Sequence, residues 1–374
     1  MFLPSVPVIA RELGAHASSD AGAAQLTITS YLLGLAIGQL AWGPLSDRHG
    51  RKPMLLAGLA LFLVSSACGA AASSLPELVL LRFAQGLGMS SGPVVARSIV
   101  RDLYAREQAA QLLARMMAVF GVIPVAAPLL GGQALALGGW QAVFWVFAAI
   151  ALALLAAVTL GLGETAPALR QSIAPRRIAA SYAALFGDAR FRAALATMVC
   201  AQMGIIAFVS SSALAMVQAL ALTPTAFSLL FAAVMLGQII GGVLGSRLVP
   251  RLGSARLVRL GAALVAGGGL ALAALAMAGA PHWSAVVLPM IVYLFGAAFL
   301  IPNATAAALS PFPQMAGSAS SLLGAIPFGL GALVSALLAA AFDGSTVPMA
   351  LAIAVFGFLS FLSERFLFSK ATHG

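Results

Sequence analysis

One ionisable side chain stands deep inside an apolar run of this chain: Arg82, in LPELVLLRFAQGLG. It lies five positions past Glu77, about 7 Å along a helix from the end of that run. A guanidinium at that depth is costly unless water or an acid meets it, or unless its long stem snorkels to the interface. Gln85 and Met89 share its helical face. A second set is GPLSDRHGRK, residues 43–52. Gly43 lets a helix end approach a neighbour closely. Asp47 can accept hydrogen bonds from an opposing helix N-terminus or pair with an arginine such as Arg101. Arg48, Arg51 and Lys52, around Gly50, either join such contacts or only set membrane orientation. Pro124, Pro128, Gly131 and Gly132, and later Gly324, Pro327, Gly329 and Gly331, interrupt helical runs, as movable bends or as static kinks. Tyr31, Gln85, Gln202, Phe208, Tyr293 and Asn303 are polar or aromatic positions inside apolar runs. They suit an apolar chamber with a few polar groups, although aromatics also serve as packing and Asn303 can satisfy backbone freed by Pro302.

The elements that must carry these residues are membrane helices. The 374 residues are 61% hydrophobic and 8% charged, too few charges for a soluble surface. Apolar runs long enough to cross the hydrocarbon recur throughout, and their continuity excludes an alternating β-barrel. Full spans are predicted at 24–45, 53–72, 76–98, 112–135, 139–162, 192–216, 225–246, 257–279, 284–308, 316–341 and 347–364. The opening MFLPSVPVIARELGA is too short to cross and counts as an incomplete span 1, so the full ones are spans 2 to 12. Of the 20 Lys and Arg, 18 fall in alternate loops and the C-terminal tail; Arg11 falls on the other side and Arg82 within a span. That bias places the even-to-odd loops and the C-terminus in the cytoplasm. The net charge of +10 is therefore topological and argues against nucleic acid. Cys68 and Cys200 sit in apolar runs as small hydrophobes. No metal cluster or nucleophile–base–acid set marks an enzyme, and no cofactor is implied.

The longest polar stretch divides the chain into a bundle over 1–163, a cytoplasmic linker over 164–191, and a bundle over 192–374. The two parts repeat: GQLAWGPLSDR (38–48) aligns with GQIIGGVLGSR (237–247) at an offset of 199, with Ser246 in place of Asp47. Such repeats are common in secondary transporters, whose substrates bind between the halves. FVSSSALAMVQ aligns with FLPSVPVIAR, pairing Phe208 with Phe2, and on this alignment the inner part of span 1 precedes Met1.

GPLSDRHGRKP closely resembles the loop between spans 2 and 3 of the major facilitator superfamily. RFAQGLG (82–88) resembles the span 4 signature of proton-coupled members. PLLGG (128–132) resembles the end of the antiporter signature, with Ala127 and Ile123 where that signature has glycine. RSIVRDLY and FLPSVP resemble the bicyclomycin/chloramphenicol-resistance (Bcr/CflA) branch of drug:proton antiporters. The resemblance implies two six-helix bundles. It implies that Arg82 and Gln85 serve proton coupling, and that Gly43, Asp47, Arg48, Gly50, Arg51, Lys52 and Arg101 form a cytoplasmic gate. Pro128, Gly131 and Gly132 would be the hinge.

The branch carries a proton-binding Asp two residues before Phe2, so the expectation is an upstream start that restores it. By this span reading none of the ten acids lies in the bilayer interior. The function expected is efflux of small amphipathic drugs in exchange for protons, across a bacterial inner membrane, by a monomer. The alternatives are export of a metabolite such as an amino acid or sugar, or a remnant that does not transport. Single cysteines introduced between Thr165 and Ala189 are predicted to react with a membrane-impermeant maleimide only from the cytoplasmic side; periplasmic labelling would overturn the topology.

Overall fold

The computed structural model describes residues 2–13, 20–103, 106–165, 175–279, 282–312 and 315–368, with all their side chains except those at 20–23, 101, 106–107, 109–111, 113–122, 124–125, 175–179, 316–317 and 367. A 3-10 turn (Leu3–Ser5) leads into α1 (Val6–Glu12). There follow α2 (Asp20–His49), α3 (Arg51–Ala70), α4 (Leu75–Met89), α5 (Ser91–Leu103), α6 (Arg106–Gly161), α7 (Pro175–Gly187) and α8 (Ala189–Ala219). The last five are α9 (Pro224–Leu252), α10 (Ser254–Met277), α11 (Ser284–Leu309), α12 (Ala316–Ala340) and α13 (Val347–Ser363), after which Glu364–Phe368 form a π-helical turn.

Among the described residues ten helices are long and apolar enough to cross a membrane. They reproduce the eleven predicted spans with one merger. Spans 5 and 6 are run together as α6, whose backbone leaves helical geometry at Gly138 (φ −154°) and Gly139 (φ +69°). Gly139 takes a left-handed conformation that few other residues adopt without strain, so two helices meet there with almost no loop. Predicted span 4 is also divided, into α4 and α5 at Ser90.

Small residues bring the helices to backbone contact, which suits a solvent that offers no hydrophobic drive between helices. A Cβ placed on Gly38 of α2 would stand 2.9 Å from the Leu87 carbonyl oxygen on α4. One on Gly237 of α9 would stand 2.8 Å from the Ile291 carbonyl oxygen on α11. Likewise Gly69 of α3 abuts Phe144 of α6, and Gly269 of α10 abuts Ile353 of α13. The aligned glycines 38 and 237 thus perform the same packing task on matching helix pairs.

Between the earlier and the later helices, α2 runs against α12 and α6 against α9. Gly329 faces Ala36, Gly324 faces Gln39, and Gly132 faces Ser228. The largest core lies around α8, where Phe208, Phe227, Phe231 and Tyr293 are buried.

The connecting stretch is more ordered than a polar linker. Its second part forms α7, and Leu185 is fully buried. Phe186, Phe191 and Phe312 stack edge-to-face at 6.3 and 6.0 Å. Asp188 caps α8 by accepting from the Phe191 N–H at 2.9 Å, and Arg192 donates to the Phe186 and Gly187 carbonyls. Residues 166–174 lie outside the described residues.

Gly86 of α4 offers a direct test of the packing, because a Cβ there would sit 3.0 Å from the Tyr31 carbonyl carbon. Gly86→Leu is expected to cost at least about 1–3 kcal/mol through overpacking. The readout is the thermal midpoint in detergent, with Gly92→Ala, which meets open space, leaving it nearly unchanged.

Candidate functional site

Arg82 is buried, at 5% exposure, so it does not snorkel. Its helix α4 starts at Leu75 with a proline in the first turn and Ser74 extended before it, which fixes how far in the guanidinium reaches. The guanidinium carbon lies 4.2 Å from the Phe2 ring centre and 4.1 Å from the Tyr31 ring centre, between two π faces. Each such contact contributes about 0.5–2 kcal/mol depending on desolvation. Arg82 Nε donates to the Thr27 carbonyl at 3.4 Å, and Nη1 donates to Gln85 Oε1. Gln85 Nε2 in turn donates to Ser66 Oγ at 2.7 Å, and Ser66 donates to the Phe62 carbonyl at 2.6 Å. Among the described residues Arg82 has no carboxylate partner. The charge is met by rings, an amide and a carbonyl. The nearest cluster containing an acid runs through Phe2, which packs on Phe144, then Trp140, whose indole donates to Glu12 at 2.8 Å.

The second cluster is centred on Arg51. Arg51 Nη1 donates to Asp47 and, at 2.9 Å, to Ser46 Oγ. Its Nε donates to Asp102 at 2.9 Å. The Arg51 backbone N–H donates to Glu164 Oε1 at 2.9 Å, and Lys52 Nζ donates to the Thr159 carbonyl. Gly50, at φ +103°, makes the turn from α2 into α3 that allows this, and a Cβ there would strike the Glu164 carboxylate. The planar fork of Arg51 thus ties α2, α3 and α5 together, while Glu164 and Thr159 add the end of α6. The Arg51 and Asp102 side chains are 10% and 16% exposed, so that pair is partly shielded from screening, whereas Asp47, at 46%, stays open to solvent. Asp47 pairs with Arg51; the Arg101 side chain, named from sequence as another possible partner, lies outside the described residues. Arg48 is exposed. Gly43 makes only ordinary contact, 3.8 Å from Val94. The close approach expected of Gly43 occurs instead at Gly34 and Gly38, nearer mid-membrane.

Pro128, Gly131 and Gly132 are buried along α6. A Cβ on Gly132 would stand 2.7 Å from Ser228 Oγ of α9. The helix continues through them and breaks later, at Gly138–Gly139. Of the chamber candidates, Tyr31 joins the Arg82 cluster, while Gln202 is half-buried on α8. Phe208 and Tyr293 do not face a chamber. Phe208 is fully buried and stacks on Phe231 at 5.4 Å, because the later helices need large apolar fillers. Tyr293 is fully buried and donates to the Ala201 carbonyl at 3.0 Å, which satisfies its hydroxyl inside the core. Asn303 donates to the Phe299 carbonyl of its own helix at 2.7 Å, beside the break made by Pro302.

One acid has surroundings that the sequence did not announce. Glu364, read from sequence as a residue at the end of span 12, has a side chain only 2% exposed, with Oε1 3.6 Å from Arg259 Nε and Oε2 without a hydrogen bond. The π-helical turn that continues α13 folds it inward against α8 and α10.

Comparison with known proteins places this arrangement. The family model of the Major Facilitator Superfamily matches residues 1–336. The chain belongs to the Major Facilitator Superfamily. Multidrug resistance protein D of Escherichia coli is 31% identical over 90% of this chain and 83% of its own length. A bicyclomycin resistance protein homolog of Haemophilus influenzae is 29% identical over 99% of this chain and 92% of its own. Among solved structures, a D-xylose-proton symporter superposes with a TM-score of 0.79 at 18% identity, over 100% of this chain and 95% of that one, which supports the fold. These relatives bear out the resemblance to the bicyclomycin/chloramphenicol-resistance branch.

Within this Major Facilitator fold, sequence reasoning had missed Phe2, Thr27 and Ser66 around Arg82, and Asp102 and Glu164 around Arg51. Asp102 was visible in RSIVRDLY but had no assigned partner; Ser66 carried no signal at all. Arg51→Lys removes the fork while keeping the charge, and is expected to cost about 1–3 kcal/mol. A thermal-shift measurement in detergent should show that fall, with the exposed Arg48→Lys leaving the midpoint in place.

Proposed function

We propose that this chain exports small amphipathic drugs in exchange for protons. It would work by alternating access between bundles at 1–163 and 192–374, joined through 164–191. On this reading the chain is a multi-pass carrier rather than an enzyme. On this reading it is a monomer in a bacterial inner membrane with its C-terminus in the cytoplasm, and needs no metal or cofactor. The observation that carries the reading is Arg82: a buried cation between two aromatic faces, wired through Gln85 to Ser66, with no acid beside it among the described residues.

Such a guanidinium is held by neutral partners and is free to exchange one of them for a group whose charge changes. An acid that deprotonates nearby would gain an ion pair in a low-dielectric setting, where that gain is large. Proton release and helix rearrangement are then linked through one side chain. The relatives named for multidrug and bicyclomycin resistance support drug-like cargo, and a single deep cation in otherwise apolar spans suits uncharged or weakly charged compounds. The sugar symporter superposes too distantly in sequence to favour a sugar as cargo.

Expression in a drug-sensitive host is expected to raise resistance several-fold to at least one member of a panel of amphipathic antibiotics, and a protonophore should abolish the gain. Arg82→Lys should lose at least tenfold in efflux rate although it keeps the charge, because an ammonium cannot lie flat between two rings and donate to Gln85 and Thr27 together. Resistance that is indifferent to both the protonophore and this substitution would refute proton coupling through Arg82.

A further inference from the structure

A polar cluster that no motif announces lies where α2 meets α8 and α12, at the membrane face opposite the basic loops. Gln25 is fully buried; its Nε2 donates to Ser211 Oγ at 2.7 Å and lies 3.4 Å from the Ser335 carbonyl. One turn on, Thr29 Oγ1 donates to Ser335 Oγ at 2.8 Å. Ser335 is fully buried and Ser211 nearly so. All four side chains thus bond between the earlier and the later helices. Further along the same pair of helices the contacts are Ala36 with Gly329 and Gln39 with Gly324. Positions 25, 29, 36 and 39 form one helical stripe on α2, and among the described residues its outer end carries the hydrogen bonds across to α12.

We infer that Gln25, Thr29, Ser211 and Ser335 form a polar lock that holds the outer face shut, and that its release exposes the transport path to the outside. Serine and threonine hydroxyls satisfy one another across the seam without charge, so no desolvated ion has to be stranded when the helices part. The lock is also incomplete: Gln25 Oε1 is buried with no hydrogen-bond partner. Water reaching it on opening would satisfy that acceptor, which offsets part of the loss of the other bonds. The seal is therefore firm enough to exclude water and weak enough to cycle. This inference rests on the alternating-access reading above.

The test needs no transported drug, so it stands or falls separately from the drug-efflux reading. In a Cys68→Ser, Cys200→Ala background, a cysteine at Ser212, fully buried on α8, reports access from outside through a membrane-impermeant maleimide. Thr29→Val, which keeps shape and removes the hydroxyl, should raise the labelling rate about fivefold, the factor of one ordinary hydrogen bond. Thr29→Ser should leave it unchanged, and Gln25→Ala should exceed the effect of Thr29→Val. An independent arm pairs Thr29→Cys with Ser335→Cys: oxidation should freeze labelling at the low rate and reduction should restore it. Equal labelling in Thr29→Val and its parent, or free access in the oxidised pair, would overturn the lock.

Discussion

Hydrocarbon offers no hydrogen bonds, and that single constraint governs where polarity appears in this molecule. A polar side chain inside a span is best met by protein, and many of those described mark places where specific partners have been arranged, with Gln25 Oε1 and Ser212 Oγ as exceptions. Arg82 is met by two rings, an amide and a carbonyl. Tyr293 is met by the Ala201 carbonyl, and Ser360 by the Thr197 carbonyl. The same constraint explains the glycines. With no hydrophobic gain from bringing two apolar helices together in lipid, close van der Waals contact must hold them, and Gly38, Gly86, Gly237 and Gly268 permit it at the backbone.

The two ends of the first helices are built differently. At the basic-loop end, Arg51 draws two carboxylates and a serine onto one fork, and Glu164 adds a bond to the backbone of the same residue. Charge-assisted bonds of this kind are strong and are anchored within helices that neighbour one another in sequence. At the opposite end the bonds are neutral and join helices far apart in sequence, as the Gln25–Ser211 and Thr29–Ser335 contacts do. Strong bonds thus fix the shape of a bundle, whereas weak ones span the seam that has to open.

Much of this was legible in the sequence, and the reason is periodicity. Long apolar runs named the helices, and the GQ…G repeat aligned Gly38 with Gly237, which the fold places in equivalent packing. Side-chain partnership was less legible. Asp47 had several arginines within reach, and only the fold shows that Arg51, four residues on, claims it. Phe208 and Phe2 align, yet Phe2 covers a guanidinium and Phe208 stacks on Phe231, because their surroundings differ. Buried serines such as Ser66 and Ser335 leave no trace in hydropathy. The burial of Glu364 was illegible for a related reason: hydropathy gives no sign of the π-helical turn that holds it.

The docking of α7 has a geometric corollary. Because Leu185 and Phe186 anchor against α8 and its neighbours, α7 belongs mechanically to the later helices. Any tilt of α8 would carry α7 along, with the Phe186–Phe191–Phe312 stack as the contact that transmits it.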